Sequence, residues 1–249
     1  MTIWENAPLI ILCHNVFWFQ GVPFETDQPG DPDDRILESL VDIYGKIDAD
    51  VLCLQEIQNG ETFQMLRDAL RYDGHYTAGS SLIQYGGATF WRSGSVMTPA
   101  NSSDDPPQRF WQVVESQGVI ICNLHLPSGR QLGPEAAASR RLEELNHATA
   151  KVPDVVLGDF NEQPGGRVSD FLRERGYVDA AVLTGRDSVP TSIGAGRGDQ
   201  IWVHESVQDR LTDYGVLSKR DLVTSVEGKT SLSDHLPLWV QLDLGRNDK

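Results

Sequence analysis

Residues 155–166 read "VVLGDFNEQPGG". Three apolar residues and a glycine run straight into Asp159, Phe160 and Asn161, and the chain breaks at Pro164, Gly165 and Gly166. The apolar run fits a buried strand over residues 154–160. Taken alone, Asp and Asn after a strand are ordinary turn formers, because their short side chains bond their own backbone. Side chains two apart on an extended segment, however, point the same way. Asp159 and Asn161 can then face one pocket while Phe160 points into the structure.

Other apolar runs finish in the same manner. Asn15 closes the strand-like run at 8–16 ("PLIILCHNV"), Glu56 the run at 50–57 ("DVLCLQEI"), and His125 the run "VIICNLH". In open α/β sheets ligands bind beyond the carboxyl ends of strands. Near the C-terminus, Asp199 opens a strand at 199–203, and Asp234 and His235 in "SDH" precede another at 237–244. Those groups reach the same end of the sheet if their strands run antiparallel to the others. Each residue has a plainer reading as a turn former, a solvated strand end or a hydrogen-bonded structural histidine. That reading must explain every strand end separately.

Between these runs lie helical patterns. Residues 33–47 place Ile36, Leu40, Ile43, Tyr44 and Ile47 on one face, with Asp33 or Asp34 as cap. Residues 61–72, 133–150 and 166–176 read as further helices, the last stopped by Gly176. Strand-like pieces fall near 75–77, 81–84, 87–92, 109–115 and 118–126, with "YGG" and "SQG" as hairpin turns. The polar stretches 22–33, 93–108 and 184–198 read as loops, the first two framing a substrate mouth. No repeat stands out and no stretch has the composition of a linker, so residues 1–249 read as a single domain.

Composition narrows the function. A chain of 249 residues can bury a sizeable core without a disulfide or structural metal. No run of about 18 apolar residues occurs, so no transmembrane segment is expected. Cys13, Cys53 and Cys122 each sit inside an apolar run, which suits reduced core thiols and a cytoplasmic location. The formal charge is −15, from 36 acidic and 21 basic residues, with no basic stripe. This disfavours nucleic acid as a partner, since phosphate contacts normally demand clustered Lys and Arg. A nuclease whose metal ion supplies the local positive charge stays open.

The ordered segments "CHNV", "LCLQEI", "NLHL", "LGDFNEQP", "RGDQIWV" and "LSDHLPL" resemble the endonuclease/exonuclease/phosphatase superfamily over about residues 8–243. The resemblance implies a deoxyribonuclease I-like fold: a four-layer α/β sandwich of two packed mixed β-sheets flanked by helices. It also implies hydrolysis of a phosphoester substrate with Mg²⁺ or Mn²⁺ as cofactor. Glu56 matches the family's principal metal-binding glutamate, Asn15 the asparagine that helps hold the metal site, and Asp234 the carboxylate of the final motif. Asp159 matches the aspartate that positions or deprotonates the attacking water, and Asn161 the amide that bonds the phosphoryl group. His235 matches the essential histidine, oriented by Asp199. His125 matches the histidine that contacts phosphate or protonates the leaving group in the deoxyribonuclease- and sphingomyelinase-like branches.

Two departures stand out. The family's "R-I-D-Y-I" appears as "RGDQIWV", and the tyrosine-containing "Y-x-P-N" of apurinic-site endonucleases is replaced by "NLHLP", which counts against a DNA-repair role. Arg92 and Arg197 are candidate phosphate contacts. Phe17, Trp18 and Phe19 could wall a ligand, although anchoring their loop in the core is the simpler expectation. His14, His75, His147 and His204 match no family position. The expected activity is thus a divalent-metal-dependent phosphodiesterase or phosphatase. The alternatives are a metal-dependent nuclease for DNA or RNA and, remotely, a catalytically silent binding module. The substrate and the oligomeric state are not legible.

Overall fold

The computed structural model describes residues 7–24, 26–92, 96–98 and 106–245. Its centre is set by parity. Along β1 (Leu9–Asn15) and β2 (Val51–Ile57), Leu9, Ile11, Cys13, Val51 and Cys53 face an inter-sheet core. The alternate residues Leu12, Leu52 and Leu54 face α1 (Asp34–Ile47) and α2 (Gly60–Leu70). The same alternation governs β7 (Val119–His125) and β8 (Val155–Asp159). Ile121, Val155 and Leu157 point inward, while Cys122, Leu124 and Val156 lie beneath α4 (Pro134–Ala148) and α5 (Arg167–Glu174). Because strand side chains alternate with a period of two, each sheet is buried on both faces. The result is the expected four layers, helix–sheet–sheet–helix.

One six-stranded sheet has the order β11 (Leu211–Val216), β12 (Leu238–Leu242), β1, β2, β4 (Gly86–Trp91), β3 (Asp73–Thr77). The other has the order β5 (Val96–Thr98), β6 (Phe110–Ser116), β7, β8, β10 (Asp199–His204), β9 (Tyr177–Asp179). The two are built alike. Each centres on a parallel pair, β1 with β2 and β7 with β8, and every other pairing in both sheets is antiparallel. The sequence shows no repeat because the two halves share topology, not side chains.

Several local expectations change. Residues 81–84 form turns rather than a strand, so β3 and β4 pair across a longer loop than "YGG" alone would need. Strands β9 and β11 are too short or too polar to stand out in the sequence. The helical pattern at 133–150 is preceded by a separate turn of helix, α3 (Gly129–Leu132). Most of the expected loop at 93–108 lies outside the described residues, apart from β5 and the approach to β6. Asp33 caps α1, accepting from the Arg35 N–H at 2.9 Å.

The glycine of the "LGD" segment is a packing requirement. Gly158 has φ +143°, and a Cβ there would fall 1.9 Å from the Leu124 carbonyl oxygen. Only glycine lets β8 lie this close to β7 while carrying Asp159 to its end.

Candidate active site

The parity that fills the inter-sheet core also builds the site. Asn15 follows Cys13 by two residues, and Asp159 follows Leu157 by two, so both continue the inward faces of their strands. His125 ends β7 directly opposite Asp159 in the parallel register. Asp199 starts β10 opposite Asp159 in the antiparallel register, which delivers it to the same end from the other direction. His235 lies just before antiparallel β12 and meets Asp199.

Glu56 needs a different device. By alternation it would face the helices with Leu52 and Leu54. The β2–β4 register slips at this point, so that Glu56 is the extra residue between Gln55 and Ile57, and its φ is +60°. A bulge of this kind re-aims a side chain, and here it turns the carboxylate toward the cluster. Glu56, His125 and Asp159 bring possible ligand atoms within 4.8 Å of one another, as do Asp159, Asp199 and His235.

Asp159 is held on both oxygens. Oδ1 accepts the Asn161 N–H at 2.9 Å and Oδ2 accepts Asn15 Nδ2 at 3.2 Å. Asn15 Oδ1 accepts the Phe17 N–H at 3.0 Å, which fixes the amide so that its nitrogen faces the carboxylates. Asn15 therefore steadies Asp159 as a donor and stands beside Glu56. Asn161, at φ +50°, donates from Nδ2 to the Leu126 carbonyl at 3.0 Å and keeps its second amide hydrogen. Phe160 between them is fully buried under the helices, as expected.

His235 Nδ1 faces both oxygens of Asp199, at 2.8 and 3.0 Å, and Asp199 is in turn oriented by its backbone N–H on Thr191 Oγ1. Burial alone would lower the imidazole pKa, but the carboxylates of Asp199, Asp159 and Asp234 together raise it well above 6.5. The pair is therefore imidazolium and carboxylate, with Nε2–H turned away from Asp199 and 3.7 Å from Asp234 Oδ1.

Burial raises the Glu56 pKa to about 7, against the lowering effects of Arg109, His235 and Asn15. Its Oε2 is buried without a hydrogen-bond partner, and so is Asp234 Oδ1. Bare buried carboxylate oxygens are costly unless a cation completes them. A set of hard oxygen donors that keeps room for water suits Mg²⁺ or Mn²⁺. The residues present fit such an ion.

His125 lies 3.2 Å from Asp159 and 3.9 Å from Glu56. Burial, Arg109 and His235 nevertheless hold its pKa well below 6.5, so these are not ion pairs. An Arg109 N–H points at Nε2, Asp159 Oδ2 lies 3.2 Å from the same nitrogen, and Nδ1 is buried without a hydrogen-bond partner. His125 is thus a neutral, buried imidazole at the edge of the cluster.

Sequence reasoning missed Arg109. It is only 4% exposed, its guanidinium lies 4.2 Å over the Tyr85 ring, and its Nε has no partner. The signal was its position just before β6, whose Phe110 pairs with His125. The two arginines singled out from the sequence lie elsewhere. Arg92 sits past Trp91, which pairs with Val51 at the far end of β2, and binds Asp48, Asp50 and Tyr72. Arg197 makes a buried ion pair with Asp179 at 3.0 Å. Both are therefore corrections: the structure brings neither to the cluster. His14 is buried against the Tyr44 hydroxyl, and Phe17, Trp18 and Phe19 are buried at consecutive positive φ, anchoring their loop.

The fold has close counterparts. It matches an AP endonuclease from Archaeoglobus fulgidus with a TM-score of 0.67 and 20% identity, covering 95% of this chain and 100% of that one. An endonuclease/exonuclease/phosphatase family protein from Bacteroides thetaiotaomicron gives 0.68 and 18%, covering 96% and 99%. A mannosyl-6-phosphatase from the same organism gives 0.64 and 19%, covering 94% and 99%. No curated protein sequence matches. The Endonuclease/Exonuclease/phosphatase family profile matches residues 14–236, from the histidine before Asn15 to the leucine after His235. The chain belongs to that family and is a phosphoester hydrolase.

Proposed function

We propose that the cluster hydrolyses a phosphodiester or phosphomonoester by in-line attack of water, with Mg²⁺ or Mn²⁺ held by Glu56 and Asp234. The observation that supports this most is the pairing of bare, buried carboxylate oxygens with an imidazolium beside a doubly held aspartate. When bound, the ion would supply positive charge to the phosphoryl oxygens and orient the substrate.

The chain's own residues do the rest. Asp159, fixed by Asn161 and Asn15, holds the attacking water and takes its proton. The His235 imidazolium, kept charged by Asp199, stabilises charge developing on the phosphoryl group through Nε2–H. The free amide hydrogen of Asn161 binds a phosphoryl oxygen. Buried Arg109 and neutral His125 form a fixed wall behind Glu56. The shared inter-sheet core supports reading residues 1–249 as a single domain, and three buried free cysteines accord with a cytoplasmic location.

A nuclease is the second reading, favoured by the fold shared with the Archaeoglobus enzyme. The charge of −15 weighs against it for long polymers. The test is p-nitrophenol release from bis-p-nitrophenyl phosphate with Mg²⁺ or Mn²⁺, followed by EDTA and a panel of plasmid DNA, RNA, sphingomyelin and inositol phosphates. Chelator-sensitive turnover is expected. No metal-dependent turnover on any of them would end the hydrolase reading and leave a silent binding module.

A further inference from the structure

Beside Glu56 and His125 the site has a wall that the chemistry does not use. Phe17, Trp18 and Tyr85 form a small cluster of their own, separate from the main cores. Tyr85 meets His125 edge-on, with ring centroids 6.0 Å apart, and carries Arg109 on its face. Three loops converge on this cluster, and each exposes a large apolar side chain.

Phe24 is 49% exposed and stands edge-on to Phe17 at 5.0 Å. Ile83 is 66% exposed; its neighbour Leu82 packs on the cluster, and the carbonyl of its other neighbour, Gln84, accepts Trp18 Nε1–H at 2.6 Å. Leu132 is 40% exposed and follows Gln131, whose side chain lies beside that of Tyr85. Isolated exposed apolar residues need no explanation, but a group gathered at a catalytic mouth does. The polar groups beside it carry both signs: Asp27 and Asp31 are exposed on the Phe24 loop, Lys229 Nζ donates to the Pro23 carbonyl at 2.9 Å, and Arg130 is exposed on the helix that ends at Leu132, while Gln84 ties the Ile83 loop to the Asp27 carbonyl at 3.4 Å.

We propose that Phe24, Ile83 and Leu132 form an apolar collar that receives the uncharged alkyl or aryl arm of a dissolved phosphoester and sets its phosphorus over Glu56 and Asp159. This rests on the hydrolase reading and narrows its substrate class. The collar joins the catalytic wall through Tyr85, so one molecule spans both. Each methylene laid against the collar adds about two- to fourfold in affinity.

The test uses methyl-, butyl- and octylphosphonate, below micellar concentration, as inhibitors of bis-p-nitrophenyl phosphate turnover and as ligands in calorimetry. Wild type is expected to bind octylphosphonate at least about tenfold tighter than butylphosphonate. The triple variant Phe24→Ser/Ile83→Ser/Leu132→Ser flattens that dependence relative to its own methylphosphonate baseline. Val152→Ser, exposed on the turn before β8, keeps it. Chain-length-independent binding, an unchanged slope in the triple variant, or binding only to micelles would overturn the collar. Failure of the hydrolase reading shows separately, as absent reporter turnover, while calorimetry still reads the collar.

Discussion

Replacing Glu56 by glutamine should stabilise the protein when no metal is present. The carboxylate is buried, one of its oxygens has no partner, and burial lifts its pKa from 4.5 to about 7. The folded pKa lies above the unfolded one, so the stability tied to the protonated carboxyl is complete below about pH 4.5. It is lost as pH rises through 7. At 1.36 kcal/mol per pKa unit this amounts to ~3 kcal/mol at pH 8. Glutamine keeps the shape and carries no charge, so in EDTA at pH 8 Glu56→Gln should gain about 2–3 kcal/mol. For a chain of this length that is ~5–10 °C in Tm.

Divalent metal should invert the order. Wild type gains stability by mass action when Mn²⁺ is added, and the variant loses its principal ligand and gains little. Metal affinity in wild type should also rise roughly tenfold per pH unit below 7, because the ion competes with the Glu56 proton. Thermal melts from pH 5.5 to 8.5, in EDTA and in Mn²⁺, read both effects. A variant no more stable than wild type at pH 8 in EDTA, or equally stabilised by Mn²⁺, would refute the reasoning.

Two further substitutions test the fold and the corrected arginine. Gly158→Ala should cost more than about 4 kcal/mol or abolish folding, because its Cβ meets the Leu124 carbonyl at a positive φ; circular dichroism and solubility report this. Arg197→Met should lower stability by ~3–5 kcal/mol by leaving Asp179 charged and buried, yet leave the KM for bis-p-nitrophenyl phosphate within about twofold. A large rise in KM without a fall in Tm would return Arg197 to the role of phosphate contact.

Much of the site was legible because strand periodicity is a local property. Asn15, His125 and Asp159 sit at the ends of apolar runs, and the same alternation that buries Cys13 and Leu157 aims them at one place. Asp199 and the "SDH" segment required only that β10 and β12 run antiparallel, which they do. The rest depended on features that no local window contains. Glu56 reaches the cluster only through a bulge set by its pairing with β4. Arg109 is placed by the cross-strand partner of its neighbour. The arginines chosen from the sequence had nearer carboxylates waiting, Asp48 and Asp50 for one and Asp179 for the other. The three-residue strand β9 and the polar β11 exist because a sheet edge was available, not because their sequences demand it.

The most direct measurement is turnover of bis-p-nitrophenyl phosphate by wild type and His235→Ala side by side, at saturating Mn²⁺. Mn²⁺ binding and the melting curve of each are measured in parallel. Removing the imidazolium that Asp199 keeps charged should lower turnover by about 10³-fold or more, with the fold and Mn²⁺ binding retained. Equal turnover by the two proteins would contradict the mechanism at its centre.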